Sequence, residues 1–227
     1  MRVSLQPAFV LHTRSFRDTS LLVDLFTVEH GRVSVIAHGA RGAKSKLRGL
    51  LLPFVPLLVS FSGKTDLMTL GKVETNGLSY NLVGTNLLSG LYINELLVRL
   101  LAWHDPHPNI FTAYQNTLKH LQNAKNIQVA LRLFEKQLLN KIGYGLALTK
   151  DVTGQAISAD NYYCYEYERG FVKGSKNKSN TFSGKSLLAL YNNNLTDPAI
   201  LNDLKNLMRL IFNHLLADRP IKSRELI

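Results

Sequence analysis

The sequence predicts an α+β chain, with an N-terminal five-stranded OB-type β-barrel over residues 1–80 and a mainly α-helical C-terminal domain over residues 81–227. Three observations carry this. Short β-rich segments separated by turn residues fill the first eighty positions. Apolar periodicity then changes from two to about 3.6 near residue 80 and stays helical. Finally, the basic residues of the first part gather in a glycine-rich loop, a pairing suited to small barrels that bind nucleic acid.

The strand segments follow in order. Ala8–Arg14 and Ser20–Val28 are rich in β-branched and aromatic residues and are bounded by polar turns. Glu29-His-Gly31 reads as a hairpin connection into Arg32–His38, where Val33, Val35 and Ala37 face one way and Arg32, Ser34 and Ile36 the other. A basic loop runs from Gly39 to Gly49. Val55–Phe61 and Leu67–Val73 supply the last two strands, joined near Ser62-Gly63.

Helical spacing begins with Leu87, Leu88, Leu91, Tyr92, Leu96 and Leu100, followed by Trp103. A second stripe is Ile110, Tyr114, Leu118 and Leu121. A third, on a helix at 127–143, is Ile127, Leu131, Phe134, Leu138 and Ile142, ended by Gly143 and Gly145. A small irregular or β insertion occupies about 150–184. It holds the aromatic run Tyr162–Tyr167, read as a two-faced strand around a buried Cys164, and the polar loop Lys173–Ser179. Asp197 caps a last helix with Pro198 at its first position and Ile200, Leu204, Leu207, Met208, Ile211 and Leu215 as its stripe.

Net charge is +11 over 227 residues, with ten basic and five acidic groups in residues 1–80 alone. Between Glu29 and Asp66 there is no acidic residue, while Arg32, Arg41, Lys44, Lys46, Arg48 and Lys64 lie inside the gap. A dense patch of one sign matches a nucleic-acid backbone, because neutralising phosphates releases condensed counterions. The longest apolar run, Leu50–Val59, is too short to span a bilayer and is broken by Pro53 and Pro56. A start without a secretory pattern and a single cysteine point to a soluble, cytoplasmic protein with no membrane partner.

Chemistry-bearing motifs are sparse. Gly39–Ser45 fails the spacing of a phosphate-binding P-loop, and Gly184-Lys-Ser186 has Ser179 where the first glycine belongs. His104-Asp-Pro-His107 is explained as well by a helix-end loop as by a metal. No carboxylate pair suits acid–base or two-metal chemistry, so the expectation is a non-enzyme without cofactor. The residues expected at phosphates are Arg14 and Arg17, flanking the first inter-strand turn, with Arg32, Arg41, Lys44, Lys46 and Arg48. An RNA-binding barrel would use the same face, and a nuclease or nucleotidyl transferase would need a carboxylate cluster not seen here.

The order of longer motifs is more specific. Gly31-Arg-Val33, His38-Gly-Ala-Arg-Gly42 with Ser45, and Leu52-Pro-Phe-Val-Pro-Leu57 are followed by Gly90-Leu-Tyr-Ile-Asn-Glu-Leu-Leu97. Then come Arg132-Leu-Phe-Glu-Lys-Gln-Leu-Leu139, Gly143-Tyr-Gly145 and Lys222-Ser-Arg-Glu-Leu226. Together they resemble the RecO family of bacterial recombination mediators across nearly the whole chain. The resemblance implies single- and double-stranded DNA binding, strand annealing and a nucleoid-associated location. It also implies work with RecR, and often RecF, to load RecA on DNA coated by single-strand-binding protein (SSB). It further implies capture of the acidic, phenylalanine-ended SSB tail. For that tail, Arg132 and Lys136, four residues apart beside Leu133, are the expected cations, with Leu96 and Leu100 as candidates for an apolar slot. Many family members carry a four-cysteine zinc site in the C-terminal domain; with Cys164 alone, this chain cannot form one.

Overall fold

The computed structural model describes residues 1–123, 126–176, 180–217 and 220–223. Five strands, β1 (Arg2–Phe16), β2 (Ser20–Thr27), β3 (Gly31–Ala37), β4 (Leu57–Ser62) and β5 (Leu67–Thr75), close into a barrel in the order β1-β2-β3-β5-β4. β3 and β5 pair in parallel and the other neighbours are antiparallel, the arrangement of an OB barrel. Alternation puts Ala8, Val10, Val23, Leu25, Val33, Val35, Ala37, Leu57, Val59 and Phe61 inside. The short helix α1 (Leu47–Leu50) lays Leu47 and Leu50 against that core.

The first strand begins at Arg2, well before the predicted Ala8, because its first residues pair with β4. Its register with β2 shifts between Val10 and His12, a bulge that takes backbone groups out of the ladder. The long helix α2 (Gly84–Leu100) meets this point. Buried Asn94 donates through Nδ2 to the Leu11 carbonyl at 3.1 Å and accepts from the Tyr114 hydroxyl at 2.6 Å. Tyr114 lies on α3 (Pro108–Asn123). With Phe111 it packs on the outward rings of Phe9 and Phe26, at centroid distances of 5.1–5.4 Å for three of these pairs. Burial pushes the Tyr114 phenol well above its ordinary range. The buried face of α2 is Ser89, Gly90, Tyr92, Ile93, Asn94, Leu96 and Leu97, rotated from the predicted leucine stripe. Leu87 is exposed, and Leu88, Leu91 and Leu100 are half-buried. Gly90 belongs to that face because a Cβ there would press on Leu82 and Phe54.

Gly31 opens β3 with φ +61°, and a Cβ on it would lie 2.0 Å from the Asp105 carbonyl oxygen. The His104 amide in turn donates to the Arg32 carbonyl. Ile221, Lys222 and Ser223 join the same compact unit as Met1–Asn123. Glu95 accepts hydrogen bonds from the Lys222 and Ser223 amides and the Ser223 hydroxyl at 2.8–3.1 Å, and pairs with Arg99. Burial works to raise its pKa, but these donors and the Arg99 charge outweigh it and hold the carboxyl below the ordinary range. Of the terminal motif, Arg224–Leu226 lies outside the described residues.

The other compact unit is Ala124–Pro220. It holds the helices α4 (Ile127–Lys141), α5 (Gly184–Tyr191) and α6 (Pro198–Leu215) and a sheet ordered β7 (Gly170–Gly174), β6 (Tyr162–Glu166), β8 (Thr181–Ser183). The α6 helix packs on α4, α5 and β8 through Ile200, Leu204, Leu207, Met208, Ile211 and Phe212. Asp197 caps it by accepting from the Ala199 amide, and Pro198 occupies the first turn. In β6, Tyr163 is buried while Tyr165 and Cys164 are half-buried, so the thiol is less enclosed than expected. The polar loop after β7 is described only as far as Lys176 before Asn180.

Candidate nucleic-acid interface

The basic loop after β3 is fastened to the barrel at its start. Buried Ala40 inserts into the core, the Arg41 amide donates to the Thr19 carbonyl at 2.8 Å, and Arg41 Nη1 donates to the Arg17 carbonyl at 3.1 Å. These bonds tie the loop to the β1–β2 turn, where Arg17 takes a left-handed backbone with φ 51°. Two successive turns follow, with the Gly42 amide bonded to Gly39 and the Ser45 amide to Gly42. The α1 turn then sends Leu47 and Leu50 inward and leaves Lys46 and Arg48 exposed.

Arg14, Arg17, Arg41, Lys44, Lys46 and Arg48 are all exposed. None of them has an ion-pair partner among the described residues. Arg17 and Arg41 meet through the backbone bond just given. Asp18 is the acidic residue within the turn itself. Charges left free in this way keep their full attraction for an incoming polyanion, which paired charges do not.

Arg32 does not belong with them. It lies on the outer face of β3, and that face is covered by the end of α2. Its side chain is 11% exposed, its Nη2 is 3.1 Å from the Asp24 carboxylate, and its Nη1 donates to the Val98 carbonyl. The guanidinium also stacks 3.6 Å from the Trp103 ring. Val98 O is one of the last helical carbonyls of α2, which have no partner within the helix. Arg32 therefore caps a helix and closes an ion pair, and its charge is spent inside the fold.

The residues expected to hold an acidic tail are arranged differently from the prediction. Arg132 is buried beside buried Glu135: its Nη2 donates to Oε1 at 2.9 Å, and its Nε lies 2.9 Å from Oε2 as an ion-pair contact without hydrogen-bond geometry. The i,i+3 spacing that allows this pair was in the sequence, but the cation was expected at the surface. Lys136 reaches the Leu190 and Tyr191 carbonyls and Asn193 Oδ1 at 2.8–3.0 Å, capping the end of α5, and burial lowers its pKa. Leu133 is half-buried, Leu96 is fully buried in core and Leu100 is half-buried. Arg132, Leu133 and Lys136 belong to one compact unit, and Leu96 and Leu100 to the other.

Other motifs also settle. Gly184-Lys-Ser186 starts α5 behind its Ser183 cap, and a Cβ on Gly184 would lie 1.9 Å from the Ser158 carbonyl oxygen, leaving no phosphate cradle. His107 pairs with Asp105 at 3.0 Å. Among the described residues no three His, Cys, Asp or Glu side chains converge as metal ligands, and no helix is long and apolar enough to cross a membrane. The sequence reading missed Asn94, Glu95 and Glu135, each a polar residue inside an apolar helical stripe. That position was the available signal, since a buried polar group requires a partner.

Comparison with known proteins agrees with this architecture. Residues 1–78 match the family described as Recombination protein O N terminal, and residues 83–225 match Recombination protein O C terminal. A DNA repair protein RecO from Coxiella burnetii is 49% identical over 228 residues, covering 100% of this chain and 98% of that protein. The DNA repair protein RecO of Nitrosospira multiformis is 44% identical, with 100% and 95% covered. That of Haemophilus influenzae is 41% identical, with 100% and 96% covered. With both domains matched end to end and full-length relatives above 40% identity, the chain belongs to the RecO family of DNA repair proteins.

Proposed function

We propose that this chain is a non-enzymatic DNA-binding and strand-annealing mediator that helps RecA load onto single-stranded DNA coated by SSB. The observation that carries the reading is the set of exposed cations, without ion-pair partners among the described residues, on the β1–β2 turn and the loop bonded to it. The phosphate contacts assigned are Arg14, Arg17, Arg41, Lys44, Lys46 and Arg48. Arg32 is left out because Asp24, Val98 and Trp103 already engage it. Such contacts position a backbone and carry little base readout, which suits a protein that must act on any sequence.

Annealing needs two strands drawn together while their bases stay free to pair. Cations that hold phosphates and leave base edges untouched meet that requirement. RecR, often with RecF, and the tail of SSB are the partners proposed on family grounds, and the nucleoid is the proposed place of action. The test is annealing of complementary strands pre-coated with SSB. The protein is expected to accelerate it, with Lys44→Glu/Lys46→Glu/Arg48→Glu strongly impaired. Equal annealing with and without the protein would refute the mediator role, and tighter binding to RNA than to DNA at fixed salt would redirect it to RNA.

A further inference from the structure

In the unit Ala124–Pro220 a cavity of about 480 Å³ opens between the Gly143–Ala147 segment, the β6–β7 turn and the end of α6. We propose that it is a second nucleic-acid site, holding one unstacked base of a single strand. The inference rests on the DNA-binding reading above and adds to it a site distant in sequence from the basic loop.

The walls are the first argument. Tyr167 stacks on His214 with centroids 3.6 Å apart and planes 16° from parallel, and Tyr165 meets Tyr167 edge-on at 5.7 Å. Tyr144 is 55% exposed at the same cavity. It stands between Gly143 and Gly145, and a Cβ on Gly143, with φ +89°, would meet nothing within 4 Å. An exposed tyrosine beside an open glycine at the mouth of an aromatic-walled cavity offers a flat ring both a platform and room to enter. Stacking of this kind tolerates every base, because each has a π-face. The volume falls within the usual range for small-ligand sites.

The charges are the second argument. Arg169 on the wall is paired with Glu166, and Glu168 adds a further carboxylate. An acidic peptide would meet the Glu168 carboxylate with its own, whereas a base brings no charge and can leave its phosphate in solvent. The physical pattern thus favours a neutral, flat, aromatic group attached to a chain that the protein holds elsewhere by charge. Duplex DNA cannot supply one without unpairing, so the cavity distinguishes single strands from duplexes.

The test uses the full-length protein and an oligothymidylate carrying 5-iododeoxyuridine. Photo-crosslinks are expected at Tyr144, Tyr165, Tyr167 or His214. Tyr144→Ala should weaken single-strand binding by roughly fivefold to a hundredfold, the range for loss of one stacked base. Its salt slope and its duplex affinity should stay unchanged, and Tyr144→Phe should restore single-strand binding. Single-strand affinity unaltered by Tyr144→Ala, or crosslinks confined to residues 1–123, overturns the site while leaving the basic-loop reading intact. Loss of affinity for an acidic, phenylalanine-ended peptide in Tyr144→Ala, with single-strand binding unchanged, overturns it in favour of a peptide. If the unaltered protein binds no single strand, both this site and the function proposed above fall.

Discussion

Replacing Arg132 with leucine isolates the most enclosed charge pair of the helical unit. Glu135 has 0% side-chain exposure and Arg132 5%, and two contacts of 2.9 Å join them. Leucine fills much of the space but removes the cation, so a buried carboxylate loses its counter-charge. Breaking a pair of this kind costs about 3–5 kcal/mol, most of it the penalty of leaving the other charge in a poor solvent. For the compact unit Ala124–Pro220 that holds the pair, this is a fall in Tm on the order of 12–40 °C. The double change Arg132→Leu/Glu135→Leu removes both charges and should recover most of the loss, because well-packed apolar residues often replace a buried pair at little net cost. Urea titration of the two variants, followed by circular dichroism, measures this. A single variant within about 1 kcal/mol of the parent would mean that Arg132 is solvated, and the surface-cation reading of the sequence would stand after all.

Three further outcomes follow from the first compact unit. Arg32→Ala should destabilise the barrel unit by about 2–4 kcal/mol through its Asp24 partner, yet leave the salt slope of DNA binding unchanged; a slope lowered by one phosphate would return Arg32 to the interface. Gly31→Ala should cost at least about 1–3 kcal/mol in thermal or urea unfolding, because φ is +61° and the added methyl meets Asp105 backbone; unaltered stability would contradict that close approach. Glu95 has a depressed folded pKa, so its contribution is present above the ordinary value of 4.5 and is lost as pH falls through the lower folded value. Glu95→Gln should therefore flatten the acid limb of stability and speed hydrogen exchange at the Lys222 and Ser223 amides near neutral pH, and protection equal to the parent's would refute the clamp.

The barrel was legible because its strands alternate in sequence as they do in space: Val33, Val35 and Ala37 line the core as their period requires. The α6 helix was legible down to its Asp197 cap, since capping and stripe are both local. The role of Arg32 was not, because it depends on Val98 and Trp103, far along the chain, covering a strand face. Hydropathy alone likewise cannot show that Asn94 is buried to serve a bulge in β1, or that Glu95 holds residues beyond position 220. Arg132 illustrates the same limit from the other side. Its spacing to Lys136 suggested a shared outer face, but its spacing to Glu135 decided its fate, and only packing distinguishes the two. The loop cations were found by composition, since an acid-free stretch needs no tertiary information to be recognised.

The central claim is that the loop bonded to the β1–β2 turn holds DNA by its phosphates. Its most direct test is the dependence of single-strand affinity on salt for the parent and for Lys44→Glu/Lys46→Glu/Arg48→Glu. Each lost phosphate contact should lower the slope of log K against log salt by about 0.7 on a single strand, so the triple variant should lose about two units of slope. Affinity should fall alike for all sequences. A variant with the parent's slope and affinity at low salt would contradict the claim and place the DNA on another face of the molecule.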